Sequence, residues 1–180
     1  MSGINPDGSL KKFFTPTPSS DIAIAASTGD LSALERLLTP TTVTEKDEHG
    51  NTPLVWASDC GQSAAVKLIL DQTPADESIN AKGYLGNTAL GRAARGGHAD
   101  CVALLLERDE IDANICNEKK QYPLHFAAFK KKTNCVKLML ESGKVDTCVI
   151  DRKGRTPAED TSVDEIRDMI LGYRDSNTTK

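Results

Sequence analysis

The chain has 180 residues, of which 38% are hydrophobic and 27% charged, and its formal net charge is −4 at pH 7. This length suffices for a core of ordinary domain size, whereas the longest apolar runs, such as residues 102–106, fall far short of the roughly 18–20 residues that span a membrane. The acidic balance argues against direct binding to nucleic acid, so we expect a globular, non-membrane chain.

The first 19 residues are rich in Gly, Pro, Ser and Thr, and we predict a disordered tail over 1–19. The tail lacks the apolar stretch of a secretory signal. Its Leu10-x-x-Phe13-Phe14 spacing resembles the short motif that binds a sliding clamp, although Asp7 stands where that motif usually has Gln. The alternative is that Phe13 and Phe14 dock onto the first helical hairpin or onto some other partner.

After the tail, the chain repeats itself. The period is marked by GNTPL from residue 50, GNTAL from 86, KQYPL from 120 and GRTPA from 154, which are offset by 36, 34 and 34 residues. The first three copies continue with small pairs at 57–58, 93–94 and 127–128, and with apolar blocks at 66–70, 102–106 and 136–140. A degenerate copy occupies residues 20–38. Such a period indicates an array of stacked units.

Each period has the features of a helical hairpin. Thr52 is a good N-cap and Pro53 suits the first helical position. Gly61 and Gly97 can adopt a left-handed turn between two helices without a Cβ clash. The apolar faces on both sides of a hairpin are buried only when hairpins stack. We predict helix pairs at 20–38, 52–71, 88–107, 122–141 and 156–171.

These residues resemble the ankyrin repeat, whose hallmark is Gly-x-Thr-Pro-Leu-His-x-Ala-Ala followed by Gly-His and Val-Val-x-Leu-Leu-Leu. The resemblance covers roughly residues 20–172. It implies an all-α solenoid of stacked helix-turn-helix pairs with β-hairpin-like fingers. Its units would be an N-terminal cap at 20–45, repeats at 46–82, 83–116 and 117–150, a C-terminal cap at 151–172, and a tail at 173–180.

Some positions depart from that pattern. Tyr122 replaces the capping Thr, and residues 71–78 lengthen one connection. Lys131 stands where the Gly between the helices is expected. A side chain forced to positive φ there would cost about 1 kcal/mol, so we expect this turn to be remodelled.

The sequence favours no catalytic or metal site. We assign His98 and His125 to local hydrogen bonds, as the resemblance implies, and expect His49 to be solvated in a finger tip. No His lies near a Cys at metal-ligand spacing, and no nucleophile elbow, Walker loop or HExxH motif is present. We therefore expect a protein that is not an enzyme and holds no metal or cofactor.

The five cysteines are an odd set without a CxxC pair, which favours reduced thiols in the cytoplasm, the nucleus or both. Asn80 and Asn114 fall in the slot that asparaginyl hydroxylases modify in some ankyrin repeats. Modification of these two residues is a prediction from the resemblance alone.

The resemblance also implies that finger tips and the exposed side of each first helix contact a partner protein. The predicted partner-binding residues are Trp56, Asp59, Tyr84, Leu85, Arg92, Arg95, Phe126, Phe129, Lys130, Arg152, Lys153 and Arg155. Aromatic and arginine side chains are the types that anchor interfaces. The alternative is that Trp56 and Phe126 pack between repeats as core.

Charge is unevenly distributed along the repeats. Residues 117–150 contain seven Lys against three acids, whereas residues 46–82 contain three Lys against six acids. We hypothesise a partner with an apolar or aromatic segment flanked by acidic residues; the alternative is a solvated charged surface. The chain would act as an adaptor, assembly chaperone or stoichiometric inhibitor, as a monomer or in a heteromeric complex. The alternatives are a structural subunit of a larger complex and a regulatory subunit of an enzyme.

Overall fold

The computed structural model describes residues 16–72 and 79–178, with side chains through residue 176. This part of the chain contains ten α-helices in five pairs and no strand, which confirms the all-α solenoid. The pairs are α1 (Asp21–Thr28) with α2 (Leu31–Leu37), α3 (Pro53–Asp59) with α4 (Ser63–Gln72), α5 (Ala89–Gly96) with α6 (Ala99–Leu106), α7 (Pro123–Phe129) with α8 (Thr133–Glu141), and α9 (Pro157–Asp160) with α10 (Asp164–Thr178). The Leu10, Phe13 and Phe14 motif and residues 73–78 lie outside the described part.

The helices form two layers. The odd-numbered helices pack against one another in an inner row, and the even-numbered helices form an outer row behind them. The core lies between the rows, where one apolar side chain from the start of each inner helix recurs. These buried residues are Ile22, Leu54, Leu90, Leu124 and Ala158. None of the described helices is long and apolar enough to cross a membrane.

The starts of the inner helices follow from their caps. Thr52 Oγ1 accepts a hydrogen bond from the Val55 N–H at 3.3 Å, and Thr88 Oγ1 accepts one from Gly91 at 3.2 Å. Tyr122 occupies the same position without a side-chain cap. Since replacing a capping residue typically costs about 1 kcal/mol, α7 begins with a weaker local signal than α3 and α5.

The turns within the first four helix pairs share one backbone geometry. The Gln62 N–H donates to the Ala57 carbonyl at 2.9 Å, and the Lys132 N–H donates to Ala127 at 2.8 Å. The turn residue is left-handed in both, with φ of 72° at Gly61 and 59° at Lys131. The prediction that the turn at Lys131 is remodelled is therefore wrong. Packing of the repeats preserves the turn, and Lys131 adopts the strained positive φ.

The fingers are single tight turns closed by one cross-loop pair. In the first finger the Asp47 N–H donates to Asn51 O at 3.0 Å, and the Gly50 N–H donates back to Asp47 O at 2.8 Å. Asp47 Oδ1 also accepts from the backbone N–H groups of His49 and Asn51. No strand ladder extends from these turns in the described residues, so the fingers are loops rather than β-hairpins.

At the C-terminal end, α10 extends beyond the expected boundary. The helix continues to Thr178, through most of the predicted tail at 173–180. Ile166 and Ile170 on this helix are buried against the preceding repeat. The final helix therefore runs past the point at which the repeat pattern ends.

Candidate functional site

The inner helices and the fingers form one face of the stack. The fourth residue after each N-cap lies on this face, and the seventh lies further along it. The fourth-position residues are Ile24, Trp56, Arg92, Phe126 and Asp160. The same backbone slot thus presents five different side chains along the face, and their environments differ.

Two of the predicted partner-binding residues, Trp56 and Arg92, form contacts within the chain. Trp56 is 5% exposed, and its Nε1 donates to Asp47 Oδ2 at 2.7 Å. Arg92 is 7% exposed and lies 3.5 Å from the half-exposed carboxylate of Asp59. The expected exposure of Arg92 is wrong, and for Trp56 the alternative of packing in the core holds, because each side chain finds an intramolecular acceptor. His49 was expected to be solvated, but its side chain is largely buried and lies beside Glu48.

Between the second and third repeats the inner face opens into a pocket of about 190 Å³. Leu85 in the second finger is 40% exposed, and Phe129 at the end of α7 is 52% exposed. Phe126 is 8% exposed and forms part of the lining between them. We call this space the inter-repeat pocket. Its lining is completed by Asn87, Arg95, Asn117, Lys119, Gln121 and Lys130.

The cations of the inter-repeat pocket lack counter-charges. Arg95, Lys119 and Lys130 are exposed, and none forms an ion pair with a described carboxylate. Lys130 Nζ lies 5.5 Å from the centroid of the Phe129 ring, within the range of a cation–π contact. The pocket therefore combines exposed apolar surface with unneutralised positive charge.

Amide side chains hold the polar wall of the pocket. Asn117 Nδ2 donates to Asn87 Oδ1 at 3.2 Å and to Gln121 Oε1 at 3.3 Å. Asn117 Oδ1 accepts from the backbone N–H groups of Lys119 and Gln121, both at 2.9 Å. Sequence reasoning missed these amides, although the repeat offsets align Asn51, Asn87 and Gln121 in one slot.

Three predicted partner-binding residues, Arg152, Lys153 and Arg155, lie in the fourth finger, and their positive charge is partly neutralised. Arg155 pairs with Asp151 at 3.3 Å and with Asp160, so its expected availability to a partner is corrected. Burial pushes the pKa of Asp151 up, but hydrogen bonds from the backbone of Arg155 and Lys153 and from the Arg155 guanidinium outweigh it, and the pKa is lowered. Arg152 and Lys153 remain exposed at the tip.

The remaining candidates have structural contacts. Tyr84 is half-buried, and its backbone N–H donates to Asn51 Oδ1 at 2.8 Å. His98 Nε2 donates to the Asp59 carbonyl at 3.1 Å, and His125 Nε2 donates to the Arg155 carbonyl at 2.9 Å. Both histidines form hydrogen bonds as expected, but the bonds are not local, because each links one repeat to another.

Asn80 and Asn114 brace the outer loops. Asn80 Nδ2 donates to Glu110 O at 2.7 Å, and Asn114 Nδ2 donates to Lys144 O at 2.8 Å. Each amide oxygen in turn accepts a backbone N–H from the next repeat, from Asp112 and Asp146 respectively. Their modification stays a prediction.

Comparisons with known proteins agree with this architecture. A family model described as ankyrin repeats, in three copies, matches residues 22–115, and a model of a single ankyrin repeat matches residues 119–152. Inversin from Danio rerio is 41% identical over 64 residues, which are 36% of this chain and 6% of that protein. Alpha-latrotoxin-Lhe1a from Latrodectus hesperus is 33% identical over 108 residues, 58% of this chain and 7% of the toxin. The match thus spans only a small part of each relative's length.

Proposed function

The chain belongs to the ankyrin-repeat family, and from that premise we propose that it is a non-catalytic module that binds a segment of another protein. Ankyrin repeats generally serve as protein–protein interaction modules. The bound segment lies across the inner face, with an apolar or aromatic side chain at the inter-repeat pocket and acidic residues beside it. In this role the chain is an adaptor, an assembly chaperone or a stoichiometric inhibitor.

One observation carries the proposal. Arg95, Lys119 and Lys130 line the pocket together with the exposed Phe129 and form no ion pair with a carboxylate of the described residues, whereas Arg92 and Arg155 on the same face are each paired with a carboxylate. An acidic segment would neutralise the three free cations, while its apolar side chain would cover Phe129. Charge complementarity of this kind selects the partner and speeds the encounter.

The pocket is formed before any partner arrives. Its polar wall is fixed by the Asn117 hydrogen bonds, and Phe126 is already packed. A preformed site limits the conformational entropy that is lost on binding. The free energy gained from contacts with the partner then contributes to affinity, because it is not offset by the cost of ordering the site.

We also propose that the chain works in the cytoplasm or the nucleus. All five cysteines are free, and two of them, Cys60 and Cys148, are exposed. Unpaired exposed thiols are typical of proteins kept under reducing conditions.

Selection of a random dodecapeptide library displayed on phage against the full chain tests the binding proposal. We expect enriched peptides to carry an apolar residue flanked by Asp or Glu. The double reversal Lys119→Glu and Lys130→Glu should weaken the binding of an enriched peptide by about tenfold at low salt, because the attraction between the cations and the acidic peptide becomes repulsion. The difference should shrink as salt rises and screens the charges.

The double reversal Lys67→Glu and Lys137→Glu is the matched control, since it makes the same charge change on the outer helices α4 and α8, where both lysines are exposed. It should leave the affinity for the enriched peptide unchanged. Enrichment of peptides without acidic residues, or equal binding by the Lys119→Glu and Lys130→Glu double reversal and the parent chain, would contradict the proposal.

A further inference from the structure

The second finger differs from the other three in how it is braced. Asp47, Asn117 and Asp151 begin fingers one, three and four, and each accepts backbone N–H groups of its own turn with its side chain. Gly83 holds that slot in the second finger and has no side-chain acceptor. The turn instead forms a short 3₁₀ segment, Tyr84–Gly86, in which Leu85 takes a left-handed conformation with φ of 57°.

Two contacts hold Leu85 in this conformation. The Glu118 N–H from the third finger donates to the Leu85 carbonyl at 3.2 Å. Within the finger, Asn87 Nδ2 donates to the Tyr84 carbonyl at 2.8 Å. A left-handed leucine is disfavoured because its Cβ crowds the following carbonyl oxygen, so the neighbouring repeat stabilises a strained residue.

The left-handed conformation of Leu85 places its exposed apolar side chain at the inter-repeat pocket. Leu85 and Phe129 both line it and are among its most exposed apolar members, and Phe126 is the buried apolar residue between them. A leucine with a disfavoured backbone and a half-exposed side chain gains little from folding, since apolar surface is stabilising only when buried. A partner side chain that covered Leu85 would bury this apolar surface and so stabilise its placement.

We propose that Leu85 is the specificity-determining residue of the inter-repeat pocket, contacting the apolar side chain of an acidic partner segment opposite Phe129. This inference rests on the proposed function. Arg95, Lys119 and Lys130 fix the chemistry of the occupant, because their uncompensated charge favours carboxylates on either side of that apolar side chain. The segment thus presents one apolar residue between acidic neighbours.

The test uses a labelled peptide with one leucine between two pairs of glutamates, and its counterpart with alanine in place of that leucine. On the parent chain, the alanine peptide should bind about tenfold more weakly. On Leu85→Gly the leucine peptide should bind about fivefold more weakly, and the loss from leucine to alanine in the peptide should fall to about twofold. Such non-additivity reports a direct contact between the two leucines.

The strain has a readout that needs no peptide. Leu85→Gly removes the Cβ at positive φ and should raise the midpoint of thermal unfolding by about 2 °C. Leu85→Ala removes the same apolar contact but keeps a Cβ, so it should bind as weakly as Leu85→Gly without that gain in stability.

The outcomes separate the two proposals. If the Lys119→Glu and Lys130→Glu double reversal weakens the peptide but Leu85→Gly binds it as tightly as the parent chain, this inference is wrong and the proposed function stands. A peptide that binds equally to the parent chain and to the double reversal overturns both. A lower unfolding midpoint for Leu85→Gly than for Leu85→Ala would contradict the assignment of strain.

Discussion

Trp56 on α3 and Phe129 on α7 both lie on the inner face of the stack, yet the first is 5% exposed and the second 52%. Around Trp56 two carboxylates of the chain engage the candidate side chains, Asp47 at the indole and Asp59 at Arg92. Around Phe129 the cations pair with no carboxylate in the part of the chain that the structure describes, and the apolar surface is open. Aromatic side chains on the same face, at the fourth and at the seventh position after the helix cap, can therefore serve folding in one half of the face and remain available for recognition in the other.

Alanine substitutions in the two halves should show the largest contrast. Trp56→Ala removes a buried indole and should lower the free energy of unfolding by about 3–5 kcal/mol. Phe129→Ala removes mostly exposed surface and should cost under about 1 kcal/mol, while weakening an acidic peptide that binds the inter-repeat pocket. Urea denaturation of both variants measures this, and similar stability losses would remove the distinction between the halves.

Substitutions in the fourth finger should change the free energy of unfolding by a smaller amount. There the role of the Asp151 charge can be separated from the role of its hydrogen bonds to the turn. Asp151→Ala loses the acceptor of two backbone N–H groups and should cost about 1–2 kcal/mol at neutral pH, as loss of a cap does. The folded pKa of Asp151 lies below its ordinary value, so its contribution is present above about pH 4 and is lost as pH falls through the lowered pKa.

Asp151→Asn is the matched variant, because Asn117 shows that an amide can brace the same turn in the third finger. It should keep most of the stability at neutral pH and lose less stability in acid than the parent chain. Unfolding curves from pH 7 to pH 2 test this; parallel pH profiles for the two chains would show that the Asp151 charge is unimportant.

The smallest predicted change in stability concerns the turns between paired helices. Lys131→Gly places glycine where Gly61 and Gly97 already stand and should stabilise the chain by about 1 kcal/mol. Lys137→Gly makes the same substitution inside α8 and should destabilise by a similar amount, because glycine is a poor helix former. Thermal unfolding distinguishes the two, and a loss of stability in Lys131→Gly would mean that the lysine side chain contributes packing that exceeds the strain.

Much of the fold was predictable because the determinants are local and repeated. The caps at Thr52 and Thr88, the left-handed turns at Gly61 and Gly97, and all five helix pairs follow from residues within a few positions of each element. The end of α10 was less predictable, because its last turns lie beyond the point at which the repeat pattern fades.

The candidate site was only partly predictable. The repeat slot tells which way Cβ points, and five of the predicted partner-binding residues line the inter-repeat pocket, namely Leu85, Arg95, Phe126, Phe129 and Lys130. It does not tell whether a side chain meets a partner within the chain. Trp56, Arg92 and Arg155 therefore looked available, although carboxylates from other positions engage them.

The third repeat combines an uncapped helix start at Tyr122 with two lysines, Lys120 and Lys131, in left-handed conformations that glycine holds elsewhere. Since the stability of a linear array is the sum of each unit's own stability and its junctions with neighbours, this unit depends most on its junctions. A ligand that bridges the second and third units would strengthen one of them directly. Binding of a ligand in the inter-repeat pocket should therefore make unfolding of the whole array more cooperative, because it couples the two ends of the array.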